Sequence, residues 1–464
     1  MDAPATRASD TKEKTLKHLF SRLGCLLAAA ALASACGDDN NNGGGGGNVV
    51  NVDPSMTESA ISNVFSSAAA DSTIQMAAGT YHFTNSLNLA TKNNITVKGA
   101  AKDTTILDWS GQLAGADGLV QSIAPGQTVK TIFQDFSIRD TIGDGIKVTG
   151  ANGLHVVRVG VSWPTRATHG GYGIYPVQSK SVLVENCTVD GASDTGIYVG
   201  QSDGIVVRNN VLTNNVAGIE IENSFNADVT GNDSHDNTVG FLVFDLPNLP
   251  QVGGHNVRVY NNTFTDNNHP NFGDPSGTVA RVPAGTGGAV MANSKVEIFG
   301  NTFSGNTTAG FAVISCFTGV DPSPSGECTS NAQYSPLPGN IWVHDNTFTN
   351  NGTDPLAHNA MGHPSFDLAG LLATGFPPGP GDPGWLDGHV ADVLWDGVVI
   401  FGSGVNPYSI CAQNNTDPTF HFANLHLVSV FSGTPLNEAL TNDQTEFNCM
   451  PQGFPLPAVP VPTF

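Results

Sequence analysis

GIYVGQS, residues Gly196–Ser202, is followed 22 residues on by GIEIENS, Gly218–Ser224. The same frame returns as GIKVTGA from Gly145, GIYPVQS from Gly173, GFLVFDL from Gly240, GAVMANS from Gly288 and GFAVISC from Gly310. Consecutive starts at Gly173, Gly196, Gly218 and Gly240 lie 22 or 23 residues apart, a period that belongs to solenoids. Inside the frame, Ile146, Ile174, Ile197, Ile219 and Phe241 form one apolar column, and Val148, Pro176, Val199, Ile221 and Val243 a second two places on. Alternation at period two predicts strands with these columns facing inward.

A second strand follows each frame, as in VLVENCTV from Val182, IVVRNNVL from Ile205, VRVYNNTF from Val257 and IWVHDNTF from Ile341. One column there reads Cys187, Asn210, Asn232, Asn262, Asn301, Asn346. Asn at one corner of stacked turns predicts a ladder of side-chain hydrogen bonds along the axis. Cys187 then replaces one member as a buried structural thiol. Some of these Asn stand in N-x-Ser/Thr sequons, Asn186 and Asn232 among them; ladder or turn is the expected role.

The fold class expected is all-β: a single-stranded right-handed parallel β-helix over 55–350. Ser55-Met-Thr-Glu58 reads as a capping box, and Ala60, Ile61, Val64, Phe65 and Ala68 recur at helical spacing, so a short N-terminal helix should cover the open end of the stack. Beyond Asn351 the period fails and a Pro/Gly-rich extension, 351–464, is expected to pack along the solenoid or cap it.

Ahead of the solenoid, Lys12, Lys14, Lys17 and Arg22 precede LGCLLAAAALASAC, an apolar run too short to span a bilayer. Residues 1–36 read as an export signal, and the Asn/Gly run within 37–54 as a flexible tether. Cys36, followed by GDDNNNGGGGGN, resembles a bacterial lipoprotein signal, which implies lipidation of Cys36 and a place in the cell envelope or outer membrane; plain secretion or a periplasmic location is the alternative. Loss of the signal leaves 13 Lys+Arg against 37 Asp+Glu. So acidic a surface repels nucleic acid and anionic lipid, and leaves the membrane approachable only through the lipid. In an oxidising compartment Cys316 pairs with Cys328 and Cys411 with Cys449, which leaves Cys187 alone.

With the inward positions apolar, chemistry falls to the outward ones. The first outward column reads Lys147, Tyr175, Tyr198, Glu220, Leu242, and the second Thr149, Val177, Gly200, Glu222, Phe244. Tyr172, Asp194 and Asp245 flank these strands. Two long connections could wall the face, one carrying Trp163, Arg166 and His169, the other Arg281; such excursions from a solenoid often build its binding site. A polysaccharide lying along the face would meet aromatic rings and carboxylates in turn.

Residues 55–350 resemble the right-handed parallel β-helix class that includes pectate lyases and alginate C5-epimerases. More narrowly, SDTGIYVGQS, NVAGIEIENS and FLVFDLP resemble a group of bacterial β-helix lipoproteins or exported proteins of unassigned role. The epimerase resemblance implies an Asp and a His beside a Tyr, in a Tyr-Gly-Phe-Asp-Pro-His segment. Tyr172, Gly173 and Pro176 match that segment, while Tyr175 and Val177 replace its Asp and His, which argues against that chemistry.

Three site readings stay open. Tyr175 or Tyr198 beside Lys147 could abstract a proton next to a uronate carboxylate, since a neighbouring cation lowers a phenol's pKa. Glu220 and Glu222 could form a glycosidase dyad, about 6.5–7 Å apart at i, i+2, or join Asp194 around Ca²⁺. Otherwise the face belongs to a non-catalytic protein that binds glycan or docks an envelope protein partner.

Overall fold

The computed structural model describes residues 48–113, 117–323, 325–359, 390–399, 406–416, 422–427, 445 and 447–464. Cys36 and residues 37–47 of the tether lie outside them. The described residues belong to one compact unit, 46–464.

Every strand pairing is parallel and joins one rung to the next. Tyr198 pairs with Glu220 and Glu220 with Leu242; Val207 pairs with Val229 and Val229 with Val259. A typical rung is made of three strands: Asp203–Arg208, a bend, Val211–Thr213, a second bend, then Ala217–Glu222. The first two strand types make a large sheet, here called the first sheet, and the third makes the second sheet. The expected apolar column is continuous through the second sheet: Ile146, Ile174, Ile197, Ile219 and Phe241 are in register and buried. Each such side chain contributes roughly 1.5–3 kcal/mol by leaving water. Gly288 continues the column because the Phe241 ring fills its place: a Cβ there would meet that ring at 2.1 Å.

The Asn ladder forms as expected. Asn210 Nδ2 donates to Asn232 Oδ1, Asn232 to Asn262, and Asn262 to Asn301, each at 2.9 Å, and the chain continues through Asn346 to Asn415. Cys187, at 0 % exposure, ends the ladder, and burial pushes its thiol up to about 12. Asn186 is a turn residue with φ 55°. A second ladder, which the sequence reading did not identify, runs through Asn215, Asn237, Asn267, Asn306 and Asn351 at the other bend. Its members stand five places after those of the first, so the signal was present in NNVLTNN and NNTFTDN.

The ends differ from expectation. The solenoid starts earlier than Ser55: Asn48–Val52 is already a strand, paired with Ser72–Met76, so the tether is shorter than 37–54. The helix Glu58–Ser67 is present, with Ile61 and Phe65 buried, but its N-cap is Thr57. Ser55 donates instead to Asp53, and Glu58 accepts from the backbone of Thr84 and Asn85, tying the cap to the first rungs. Rungs also continue past 350, since Val393–Trp395 pairs with the strand Ala309–Ile314, and Ile410–Gln413 with Gly339–His344. A gap of 69 residues in sequence between Asn346 and Asn415 had hidden this period. Disulfides Cys316–Cys328 and Cys411–Cys449 are present, with Cα separations of 5.8 and 5.1 Å.

Candidate functional site

The outward columns of the second sheet are in the expected register, with Lys147, Tyr175, Tyr198, Glu220 and Leu242 stacked rung on rung. The Tyr175 and Tyr198 rings touch at 4.7 Å between centroids, and Tyr172 closes a triad at 4.4 Å from Tyr175 and 4.9 Å from Tyr198. Lys147 lies over the Tyr175 ring, 5.2 Å from its centroid.

Exposure departs from expectation. Tyr198, Glu220 and Glu222 are 3 %, 2 % and 6 % exposed, so the face is covered where the carboxylates lie. The reason is in the long connections, which leave the second sheet at both edges and fold back over it. Residues 266–285 place Phe272 edge-on to His169 and bury Val279 in one cluster with Leu242. Residues 246–254 are fastened by Asn223, which donates to the Leu246 and Gln251 carbonyls at 2.8 and 2.7 Å. Lys147, Tyr172 and Tyr175 keep partial access to solvent, as do Arg166 and His169 on their connection, and Arg281 is exposed.

Beneath the cover the polar groups satisfy one another. Thr195 Oγ1 donates to Glu220, and Tyr198 donates its hydroxyl to Glu222. Gln201 Nε2 donates to the Tyr198 oxygen at 3.0 Å and to Glu222 at 3.2 Å. Gly200 makes this possible: a Cβ there would stand 2.1 Å from the Tyr198 oxygen. Burial pushes Glu222 up to about 7 and Asp194 up to about 6, with neighbouring carboxylates adding to burial, and raises Glu220 well above the usual carboxylate range. Carboxyls so placed hold protons near neutral pH.

Several of the expected site residues already have partners within the chain. Lys147 does not activate a phenol, because its ammonium is paired with Asp144 at 2.9 Å and Asp117 at 3.5 Å. Burial, then the charge of Asp144, pushes Tyr175 up to about 12; Tyr172 and Tyr198 are raised further. Asp194, Glu220 and Glu222 do not converge as a Ca²⁺ site: among the described residues no group of three His, Cys, Asp or Glu could hold a metal ion. The two Glu point to different partners, Thr195 and Tyr198. Arg166 is spent on the carbonyls of Trp109, Gln112 and Asp140, binding loops together. His169 donates to the Gly191 carbonyl and stacks on Trp163, and Arg281 donates to the Val320 carbonyl. Asp245 is buried and accepts from Gly254 N at 2.6 Å and Asn293 Nδ2 at 3.0 Å, so it shapes a connection. These basic side chains were free only in a sequence without its backbone carbonyls.

Past Glu220 and Glu222 the same columns become apolar, with Leu242, Ala289 and Ala312 in one and Phe244, Met291 and Ile314 in the other. They floor a cleft walled by Thr278–Pro283 and Thr318–Gly319. The face is therefore polar over its N-terminal rungs and apolar over its C-terminal ones.

A family model described as "Right handed beta helix region" matches residues 122–252. No curated protein matches. Among solved structures, the A-module of the Azotobacter vinelandii mannuronan C-5 epimerase AlgE4 is 15 % identical, with 64 % of this chain and 84 % of that one covered, at a TM-score of 0.45. The catalytic unit of a GH87 α-1,3-glucanase from Streptomyces thermodiastaticus is also 15 % identical, over 78 % of this chain and 52 % of that one, at 0.44. PfbA, a surface adhesin of Streptococcus pneumoniae, is 12 % identical over 64 % and 75 %, at 0.42. Likeness this distant carries no information on activity. The family match within 122–252, extended by rung-to-rung pairing on both sides, identifies the chain as a right-handed parallel β-helix.

Proposed function

We propose that this is an exported protein, lipid-anchored through Cys36, which binds polysaccharide on the outward face of the second sheet around Tyr172, Tyr175 and Lys147. The observation that carries the reading is the stack of three tyrosines, two of them partly open to solvent, beside a lysine held by Asp144 and Asp117. Rigid aromatic faces dock a sugar ring at little entropic cost, and the flanking ionic groups offer both donors and acceptors to hydroxyls. Two disulfides support export to an oxidising compartment. No helix among the described residues is long and apolar enough to cross a membrane.

A glycan panel containing neutral and uronate polymers tests this, read as binding to the intact chain and to Tyr175→Ala and Lys147→Ala. Both substitutions should weaken binding at least tenfold. Binding that ignores both would remove the site; no binding at all would favour a docking scaffold for an envelope protein.

One observation favours a second reading, acid–base catalysis on such a polymer: the Glu222 carboxyl, pushed up to about 7, is matched to proton transfer near neutrality. Glu222 is 6 % exposed, so substrate would reach it only when its cover moves aside. New reducing or unsaturated ends that disappear in Glu222→Gln would establish it.

A further inference from the structure

The C-terminal residues FPLPAVPVPTF, 454–464, run back along the outside of the first sheet, opposite in purpose to the walls of the second. Phe454 stands edge-on to Trp342 at 6.0 Å, and Phe464 stacks on His155 at 4.8 Å. Trp342, Glu297, Arg258, Asp228, Val206, Leu183 and His155 are a single outward column, each in register with the next. The tail therefore crosses six rung steps, about 29 Å at ~4.8 Å each. Ten residues of polyproline II chain span about 31 Å at ~3.1 Å each.

Three further features say that this is a built seat. Leu456 and Val459 are buried, Pro462 is partly so, and the residues between are exposed, which is the period of three of a polyproline II helix. Pro457, Pro460 and Pro462 restrict the backbone to that form beyond the cis Phe454–Pro455 bond and remove its donors. The two inward residues that retain an N–H both use it on the column: Leu456 N donates to Glu297 Oε2 at 2.8 Å and Val459 N to Asp228 Oδ2 at 3.2 Å. Glu297 and Asp228 are two rungs apart, about 9.6 Å, and Leu456 and Val459 are one polyproline turn apart, about 9.3 Å. The two repeats are commensurate, so one turn of the ligand meets every second rung. The carboxylates are themselves aimed by neighbours, Glu297 by His344 Nε2 at 3.3 Å and Asp228 by Arg258 Nε at 2.7 Å. Val459 fills the apolar patch of Leu183 and Val206.

We infer that the outward column of the first sheet is a receptor for a proline-rich segment in the polyproline II form, with an apolar residue at every third position, and that residues 454–464 are its intramolecular occupant. The surface is independent of the polysaccharide face, which lies on the other sheet. A competing segment of the same pattern gains access as the tail lets go, so the tail sets the threshold for a partner.

The test uses a fluorescent peptide of sequence FPLPAVPVPTF and the full-length chain, with and without Val459→Asp, which weakens the tail but leaves every rung intact. Peptide should bind the Val459→Asp chain saturably and the unaltered chain at least tenfold more weakly. A peptide carrying the same Val→Asp change should lose binding to both. Hydrogen exchange on the unaltered chain should show the Leu456 and Val459 amides protected while Ala458 and Val461 exchange freely. Equal peptide binding to both chains, no binding to the loosened chain, or uniform exchange along the tail would each overturn the inference.

Discussion

Tyr198 donates its hydroxyl to Glu222 on the next rung. It lies across the bare backbone of Gly200 to do so. A Cβ at Gly200 would overlap the phenol, so Gly200→Ala should destabilise by about 1–3 kcal/mol. In a Tyr198→Ala background the same change should cost little, because the clashing ring is gone. Urea unfolding of the four-member cycle reads the coupling. Additive effects would mean that Gly200 is required for backbone reasons alone.

Stability should fall as pH rises from about 4 to about 7. Glu222 is up to about 7 and Asp194 and Asp245 up to about 6 in the fold, against roughly 4 in an unfolded chain. Between those limits the native state binds more protons than the unfolded one, so deprotonation favours unfolding. The contribution is largest below the unfolded value, is lost through the folded ones, and is on the order of 3–4 kcal/mol for Glu222. Denaturant midpoints at pH 5 and pH 8 check the direction, and Glu222→Gln should shrink the difference.

Asn262→Ala should cost at least about 2 kcal/mol, since it strips the acceptor from both the backbone N–H and the Nδ2 of Asn232. Cys187→Asn should be neutral or stabilising. Asn210 Oδ1 already accepts from the backbone at 187 and would take a second donor as the other rungs do. Thermal unfolding of the two variants should move in different directions.

Alkylation of the folded protein without reductant should leave all of Cys187, Cys316, Cys328, Cys411 and Cys449 unlabelled. On unfolding without reductant Cys187 should react and the other four should not, because among the described residues it is the one free thiol while the others are bridged. Peptide mapping distinguishes this from any exchanged pairing.

The core of the fold was legible because periodicity survives in sequence: Ile146, Ile174, Ile197 and Ile219 align from their spacing alone, and so does the first Asn column. Register also gave the composition of the outward columns. What it could not give was their cover. Whether the apolar end of the face meets water depends on where residues 266–285 turn, and that turn is set by contacts such as Phe272 with His169, far apart in sequence. Arg166 and Arg281 looked like ligands for the same reason, as the carbonyls that occupy them belong to distant loops. The polyproline seat escaped notice because its two halves, 454–464 and the column from Trp342 to His155, share no motif and meet only through matching repeats.

The first Asn ladder bears on how such a molecule changes over time. Successive partners are 22, 30, 39, 45 and 69 residues apart along the chain, yet their contact stays at 2.9–3.0 Å. Inserted sequence has thus been absorbed entirely outside the rung, as a beam keeps its pitch whatever is hung from it. New loops can be acquired, lengthened or exchanged at the edges of the second sheet without re-solving the fold, and the ladder is the fixed rule against which that growth is measured.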